Sequence, residues 1–204
     1  MNDVKSREKS ADLSLANREL LWRPASQVLP RPASAWQSWL LDPGSLTQRL
    51  KERCIDAIAT APFRVHVLEE GWVRQQSPGL LQCFPAHVVR ERMWSRRVLL
   101  QCGDVPWVEA HSLIPVSSMQ GPLKRLRTLN DRPLGEFLFR HPLLRRDQLE
   151  LTYTGAVWGR RSLFHLTSTS MKSGVALRVK KDWVSKKLRS TQSSSVLVNP
   201  LELI

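Results

Sequence analysis

The residues in this chain best suited to chemistry are arginines set into apolar strands. From Trp94 onward, the even positions Trp94, Arg96, Val98, Leu100 and Cys102 share one face of an extended segment, and Arg96 is the only charged member of that set. A guanidinium among apolar side chains needs an anion, because burying it unpaired costs several kcal/mol. The anion can be a protein carboxylate, which makes Arg96 a structural ion-pair residue, or a ligand, which makes it a binding residue. Snorkelling at the strand end is a third outcome. Its neighbour Arg97 points to the other face, toward solvent. The run Trp158-Gly159-Arg160-Arg161-Ser162 repeats the pattern: Arg160 shares a face with Ser162 and Phe164, while Arg161 faces the opposite way. Arg160 is either a packed, ion-paired strand residue or part of a site.

No other motif competes. The chain has no Gly-rich phosphate loop, no Gly-x-Ser-x-Gly elbow and no His-Glu-x-x-His pair. Its histidines, at 66, 87, 111, 141 and 165, are too widely spaced to suggest a metal centre. A reaction that needs neither cofactor nor metal is expected.

The elements that must position these arginines can be read from pattern. The apolar patch Trp39-Leu40-Leu41 precedes Asp42-Pro43-Gly44-Ser45, and Ser45 is a good N-cap for a helix running from Leu46 into the middle fifties. Two-residue alternation over Phe63–Leu68 and Val98–Cys102 predicts half-buried strands. A turn at Gly103-Asp104 and the returning segment Trp107–Ile114 make positions 96 to 114 an antiparallel hairpin. Helical pieces are expected over Leu123–Leu129 and from Pro133, where Leu134, Phe137 and Leu138 have helical spacing. Strands follow over Gln148–Tyr153 and Arg160–Leu166, around a turn at Thr154-Gly155. This order gives the α+β class, an antiparallel sheet with helices packed on it. Residues 1–35 read as a polar, proline-punctuated leader, 36–166 as the folded domain, and 167–204, with its basic stretch Lys172–Arg189 and serine cluster, as a mobile tail.

At 204 residues the chain suits one domain with one sizeable core, and its 42% hydrophobic content excludes disorder throughout. The net charge of +13 favours anionic partners, but the charges are scattered and no aromatic-interleaved stripe accompanies them, so nucleic acid is not expected. Cys54, Cys83 and Cys102 are odd in number and widely spaced, which predicts reduced thiols and neither a disulfide framework nor a zinc site. The N-terminal residues lack the apolar core of a signal peptide, and no run is long enough to span a bilayer. A cytoplasmic monomer without membrane insertion is the expectation.

Read together, the motifs become specific. Trp94-Ser95-Arg96-Arg97-Val98-Leu99-Leu100, Pro106-Trp107-Val108, Ile114-Pro115-Val116-Ser117, Gly121-Pro122-Leu123, Arg132 to Phe139 and Trp158 to Ser162 occur in the order and near the spacing of one family. Ser45 to Leu50 and Glu70-Gly71-Trp72-Val73 match upstream. Over about residues 36–166 the chain resembles the chorismate pyruvate-lyases. The resemblance implies a sheet of antiparallel strands flanked by helices around a small pocket. It also implies elimination of pyruvate from chorismate to give 4-hydroxybenzoate, a first committed step toward ubiquinone, without a cofactor. Arg96 falls on the family arginine that grips the substrate carboxylate, and Leu46 and Leu134 fall on ligand-contacting positions, although both could equally be core.

The C-terminal end departs from that family. There, a strand after the Trp-Gly-Arg-Arg-Ser motif carries a glutamate that hydrogen-bonds the ligand; family spacing from Trp158 lands near Val175, and Leu151 to Leu201 holds no glutamate. The strand is therefore expected to be missing, through an altered reading frame or divergence. The alternatives are an insertion that supplies it late, over Val196 to Leu203, or a substitute acid, Asp182 or Glu202, with Glu109, Glu136 and Glu150 next in line. The functions left open are an active lyase, an impaired relative that binds chorismate or 4-hydroxybenzoate without efficient turnover, and an effector-sensing module, against which the lack of a helix-turn-helix argues.

Overall fold

A computed structural model describes residues 21–57, 61–74, 81–142, 144–147, 149–154 and 157–166, and the backbone of 172–178. Its centre is an eight-stranded sheet whose pairings are all antiparallel. In chain order the strands are β1 (Arg23–Pro24), β2 (Phe63–Val73), β3 (Met93–Cys102), β4 (Val105–Pro115), β5 (Leu144–Arg146), β6 (Glu150–Tyr153), β7 (Trp158–Leu166) and β8 (Lys172–Arg178). They lie in the order β1-β6-β7-β8-β4-β3-β2, with β5 also paired to β7. The helices are α1 (Ser34–Leu40), α2 (Leu46–Ala57), α3 (Ala86–Val89) and α4 (Leu134–Arg140), with 3-10 turns at Ala25–Gln27, Val116–Ser118 and Gly121–Thr128. The α+β architecture is thus as the sequence pattern predicts.

The expected hairpin is β3–β4. Gly103 sits in its tight turn with φ 57°, a left-handed conformation that glycine adopts without a Cβ penalty. The expected helix is α2, capped where the Ser45 hydroxyl accepts the Gln48 N–H at 3.3 Å. Leu46, Leu50 and Cys54 recur at four-residue intervals along α2 and are buried, so this stripe faces the sheet.

Both faces of the sheet are covered. On one, α1 and α2 press Trp36, Leu40, Leu46 and Leu50 onto Val65, Val98, Leu100 and Val108. On the same face Leu123, Leu126, Leu129 and Leu138 pack on Ile114 and Phe164. On the other, Phe84 and Val88 cover Met93, Leu113 and Leu163.

Three expectations are corrected. The strand expected to be missing after Leu166 is present: β8 lies between β7 and β4 and pairs with both. Its sequence has little apolar alternation, but a strand between two partners is stabilised by backbone hydrogen bonds on both edges, whatever its side chains. The rest of the expected tail, residues 167–171 and 179–204, lies outside the described residues. Next, the leader is not loosely packed throughout, since Arg23–Pro24 pairs with β6 and Trp22 and Val28 are buried. Last, Cys54 and Cys102 are not separate thiols but a disulfide with Cα atoms 5.5 Å apart. Wide sequence spacing conceals the contact that forms when the end of α2 packs over the end of β3.

Candidate functional site

Cross-strand register builds the site. Glu70 faces Arg96, Arg96 faces Ser112, Ser112 faces position 175, and position 175 faces Ser162. Directly opposed residues of antiparallel strands project from the same face, so this is one row spanning β2, β3, β4, β8 and β7. The next pocket-side row contains Val67, Val98, Ala110, position 177 and Arg160. Above the rows, α2 and α4 close a pocket whose walls include Leu46, Thr47, Arg96, Ser112, Leu134, Gly135, Arg146, Arg160 and Ser162. The four residues singled out from the sequence, Arg96, Leu134, Leu46 and Arg160, all line this single cavity.

Arg96 is 2% exposed. Its Nη1 donates to Glu70, and its Nη2 donates to the backbone carbonyls of Asn130 and, at 3.3 Å, Arg132. Asn130 has φ 50°, a conformation that asparagine tolerates better than most residues, and this turn before α4 presents the carbonyls. The structural ion pair, the commoner reading of a strand arginine, is therefore present. Arg96 is at the same time part of the pocket wall.

Leu46 and Leu134 are the first residues of α2 and α4. The two helix starts touch: a Cβ built on Gly135 would lie 2.9 Å from Thr47 Oγ1. Amide N–H groups in a first helical turn have no acceptor within the helix, so the helix starts give this wall an anion-favouring polarity. Lys51 of α2 pairs with Glu136 of α4 and ties the helices together.

At the β7 end stand Arg160 and Arg146. Arg160 is 1% exposed and donates through Nη1 to the carbonyls of Trp39 (2.6 Å) and Asp42 (3.3 Å). Burial, with Arg146 nearby, pushes its pKa down to about 10. Arg146 donates from Nε to Ser162 Oγ at 2.8 Å and from Nη1 to the Pro43 carbonyl at 2.9 Å, and burial lowers its pKa as well. Among the described residues, no carboxylate forms a salt bridge with either. Sequence reasoning missed Arg146 because β5 is too short to show a period. It also missed Glu70, which only the β2–β3 register places opposite Arg96.

The acids held in reserve are engaged elsewhere. Glu109 binds Arg97 at 2.8 Å and Glu150 binds Arg161 at 2.6 Å, both pairs on the face of the sheet away from the pocket rows, and Glu136 holds Lys51. None of the three lines the pocket. Asp182 and Glu202 lie outside the described residues. Family spacing from Trp158 is expected to land near position 175; the register puts that position in the pocket row, and the residue there is valine.

The family model described as "Chorismate lyase" matches residues 16–176. The chain belongs to the chorismate lyase family. The match includes most of β8 and part of the leader, so the kinship extends beyond 36–166 at both ends. A chorismate pyruvate-lyase of Sodalis glossinidius is 35% identical over 138 residues, covering 67% of this chain and 72% of that protein. One from Photorhabdus laumondii is 32% identical over 160 residues, covering 78% and 88%. A probable chorismate pyruvate-lyase of Chromohalobacter salexigens is 33% identical over 160 residues, covering 72% and 82%. Among the described residues of this chorismate lyase relative, no helix is long and apolar enough to cross a membrane.

Proposed function

We propose that this protein binds chorismate in the pocket between the sheet and the starts of α2 and α4, and eliminates pyruvate to leave 4-hydroxybenzoate. The observation that carries the reading is Arg96, buried in the pocket wall and held by Glu70 and two carbonyls; the resemblance to the family gives it the role of gripping the substrate carboxylate. Loss of the enolpyruvyl ether and the adjacent ring hydrogen makes an aromatic ring, so the reaction carries its own driving force. The protein's part is to hold the dianion, keep it from water and fix its orientation. Arg96 supplies a preorganised cation, Leu46 and Leu134 bring helix starts to the wall, and Val98, Leu100, Leu138 and Phe164 supply apolar walls around the ring. No cofactor enters this account. A cytoplasmic setting and a place early in ubiquinone formation belong to the same proposal.

A second reading is favoured by one observation: valine stands at position 175 in the pocket row, and no carboxylate is among the pocket-lining residues described. A carboxylate there would orient the substrate or take a proton, and general acid–base assistance is worth about 10²–10⁴-fold in rate. The protein would then bind chorismate or 4-hydroxybenzoate without efficient turnover. Product chromatography after incubation with chorismate decides between them. The lyase reading expects 4-hydroxybenzoate and pyruvate in equal amounts above the uncatalysed background; the binding reading expects chorismate recovered intact. In the second case, Val175→Glu should bring turnover up.

A further inference from the structure

We propose that Arg146, backed by Arg160, forms a second carboxylate subsite at the β5–β7 end of the pocket, and that it takes the enolpyruvyl carboxylate of the substrate while Arg96 holds the other end. The proposal rests on the chorismate reading of the pocket and deepens it. Charge balance is the first argument. Arg96 is compensated by Glu70, whereas Arg146 and Arg160 have no salt-bridge partner among the described residues. Asp42 is near both, but its carboxylate is already engaged by Arg49 at 2.9 Å and by the Gly44 N–H at 2.6 Å. The uncompensated positive charge of the pocket therefore lies at the β7 end.

The second argument is an orphaned donor. Arg160 Nε is buried and has no hydrogen-bond partner, although the side chain lines the pocket and is 1% exposed. Native interiors rarely leave such a donor unmet. Close approach of two buried cations is also unfavourable, and each makes the other's charge costlier; a bound anion relieves both.

Arg146 is built to present its fork. Ser162 Oγ and the Pro43 carbonyl fix Nε and Nη1, and its guanidinium carbon lies 5.8 Å and 5.7 Å from the ring centres of Phe139 and Phe164. Phe139 is 42% exposed, so this end of the pocket is its mouth. Arg96 and Ser162 stand in one sheet row with β4 and β8 between them, three interstrand steps or about 14 Å between backbones. Side chains reaching inward from both ends can therefore hold opposite ends of one small dianion. The carboxylate at the mouth would be the one that departs with pyruvate, and the product would keep only the contacts at the Arg96 end.

Two stable probes test this by calorimetry: 4-hydroxybenzoate, a monoanion, and 3-(carboxymethoxy)-4-hydroxybenzoate, an unreactive dianion whose second carboxylate hangs from an ether at ring position 3, where chorismate carries its enolpyruvyl group. Wild type should bind the dianion more tightly. Arg146→Gln should weaken the dianion about 10- to 100-fold, the range for a lost hydrogen bond to a charged group, and leave 4-hydroxybenzoate affinity unchanged, which also shows that the variant is folded. Arg146→Lys, which keeps the charge without the fork, should lose part of the dianion affinity and none of the monoanion's. Equal losses for both probes, no loss in either variant, or a wild type that binds the dianion no better than the monoanion would overturn the subsite while leaving the lyase reading in place. A wild type that binds neither probe would overturn both.

Discussion

Glu70 and Arg96 stand directly opposite each other on β2 and β3, and the Glu70 carboxylate accepts from the guanidinium of Arg96, which lines the pocket. The protein thus supplies its own counter-ion to the residue proposed to grip the substrate. Glu70 and the carbonyls of Asn130 and Arg132 fix the guanidinium before any ligand arrives. That arrangement makes Arg96 a structural and a binding residue at once.

Arg96→Ala should therefore fail in two measurable ways. Arg96 is buried but Glu70 is exposed and can be solvated once its partner is gone, so losing the charge-assisted bond is expected to lower stability by about 1.5–3 kcal/mol in denaturant unfolding. Affinity for 4-hydroxybenzoate should fall by about 2–5 kcal/mol in calorimetry at a temperature where the variant is folded. Wild-type affinity in a folded, destabilised variant would leave Arg96 with its structural role alone.

Gly135→Ala tests the meeting of the two helix starts. The new Cβ would lie 2.9 Å from Thr47 Oγ1 and push α4 away from α2. Overpacking of this kind costs about 1–3 kcal/mol. The same displacement should weaken 4-hydroxybenzoate binding, whereas Gly71→Ala, where a Cβ meets nothing within 4 Å, should leave binding unchanged.

The Asp42 turn, whose carbonyl accepts from Arg160, gives a pH signature. Burial alone would raise the Asp42 pKa, but the Gly44 N–H and Arg49 outweigh it and hold the carboxyl below its ordinary value. A carboxylate with a lowered folded pKa contributes stability that is present above the ordinary value and lost as pH falls through the lowered one. Asp42→Asn should thus be less stable than wild type at pH 7, by about 1 kcal/mol or less for a half-exposed pair. The gap should close on acidification below pH 4, and a difference that stays constant from pH 7 down to pH 2 would rule out this role for the carboxylate.

The bridge between Cys54 and Cys102 closes a loop of 48 residues. Cross-linking a loop of that length restricts the unfolded chain by about 4 kcal/mol in the chain-entropy account. Unreduced, denatured protein should show one titratable thiol, that of Cys83, and three after reduction, with a matching fall in unfolding midpoint. Three thiols before reduction would contradict the bridge and match the reduced state expected from sequence.

Much of this architecture was legible because the responsible patterns are local. Apolar alternation gave β3 and β4, Ser45 marked the start of α2, and the parity of Arg96 and Arg160 put both on the face that becomes the pocket. What was not legible depends on contacts between distant segments. Glu70 reaches Arg96 only through register, Arg146 reaches Ser162 from a three-residue strand, and β8 is a strand because of its neighbours rather than its own side chains. The disulfide joins positions whose separation in sequence gives no hint of contact.

The most direct test of the whole account is the initial rate of pyruvate release when purified wild-type protein is mixed with chorismate, measured beside Arg96→Ala. The account predicts release by the wild type well above the protein-free rate, matched mole for mole by 4-hydroxybenzoate, and a rate near background for the variant. Tight binding of chorismate with no pyruvate above background would contradict the lyase reading and leave a binding protein; equal rates in wild type and variant would remove Arg96 from the chemistry.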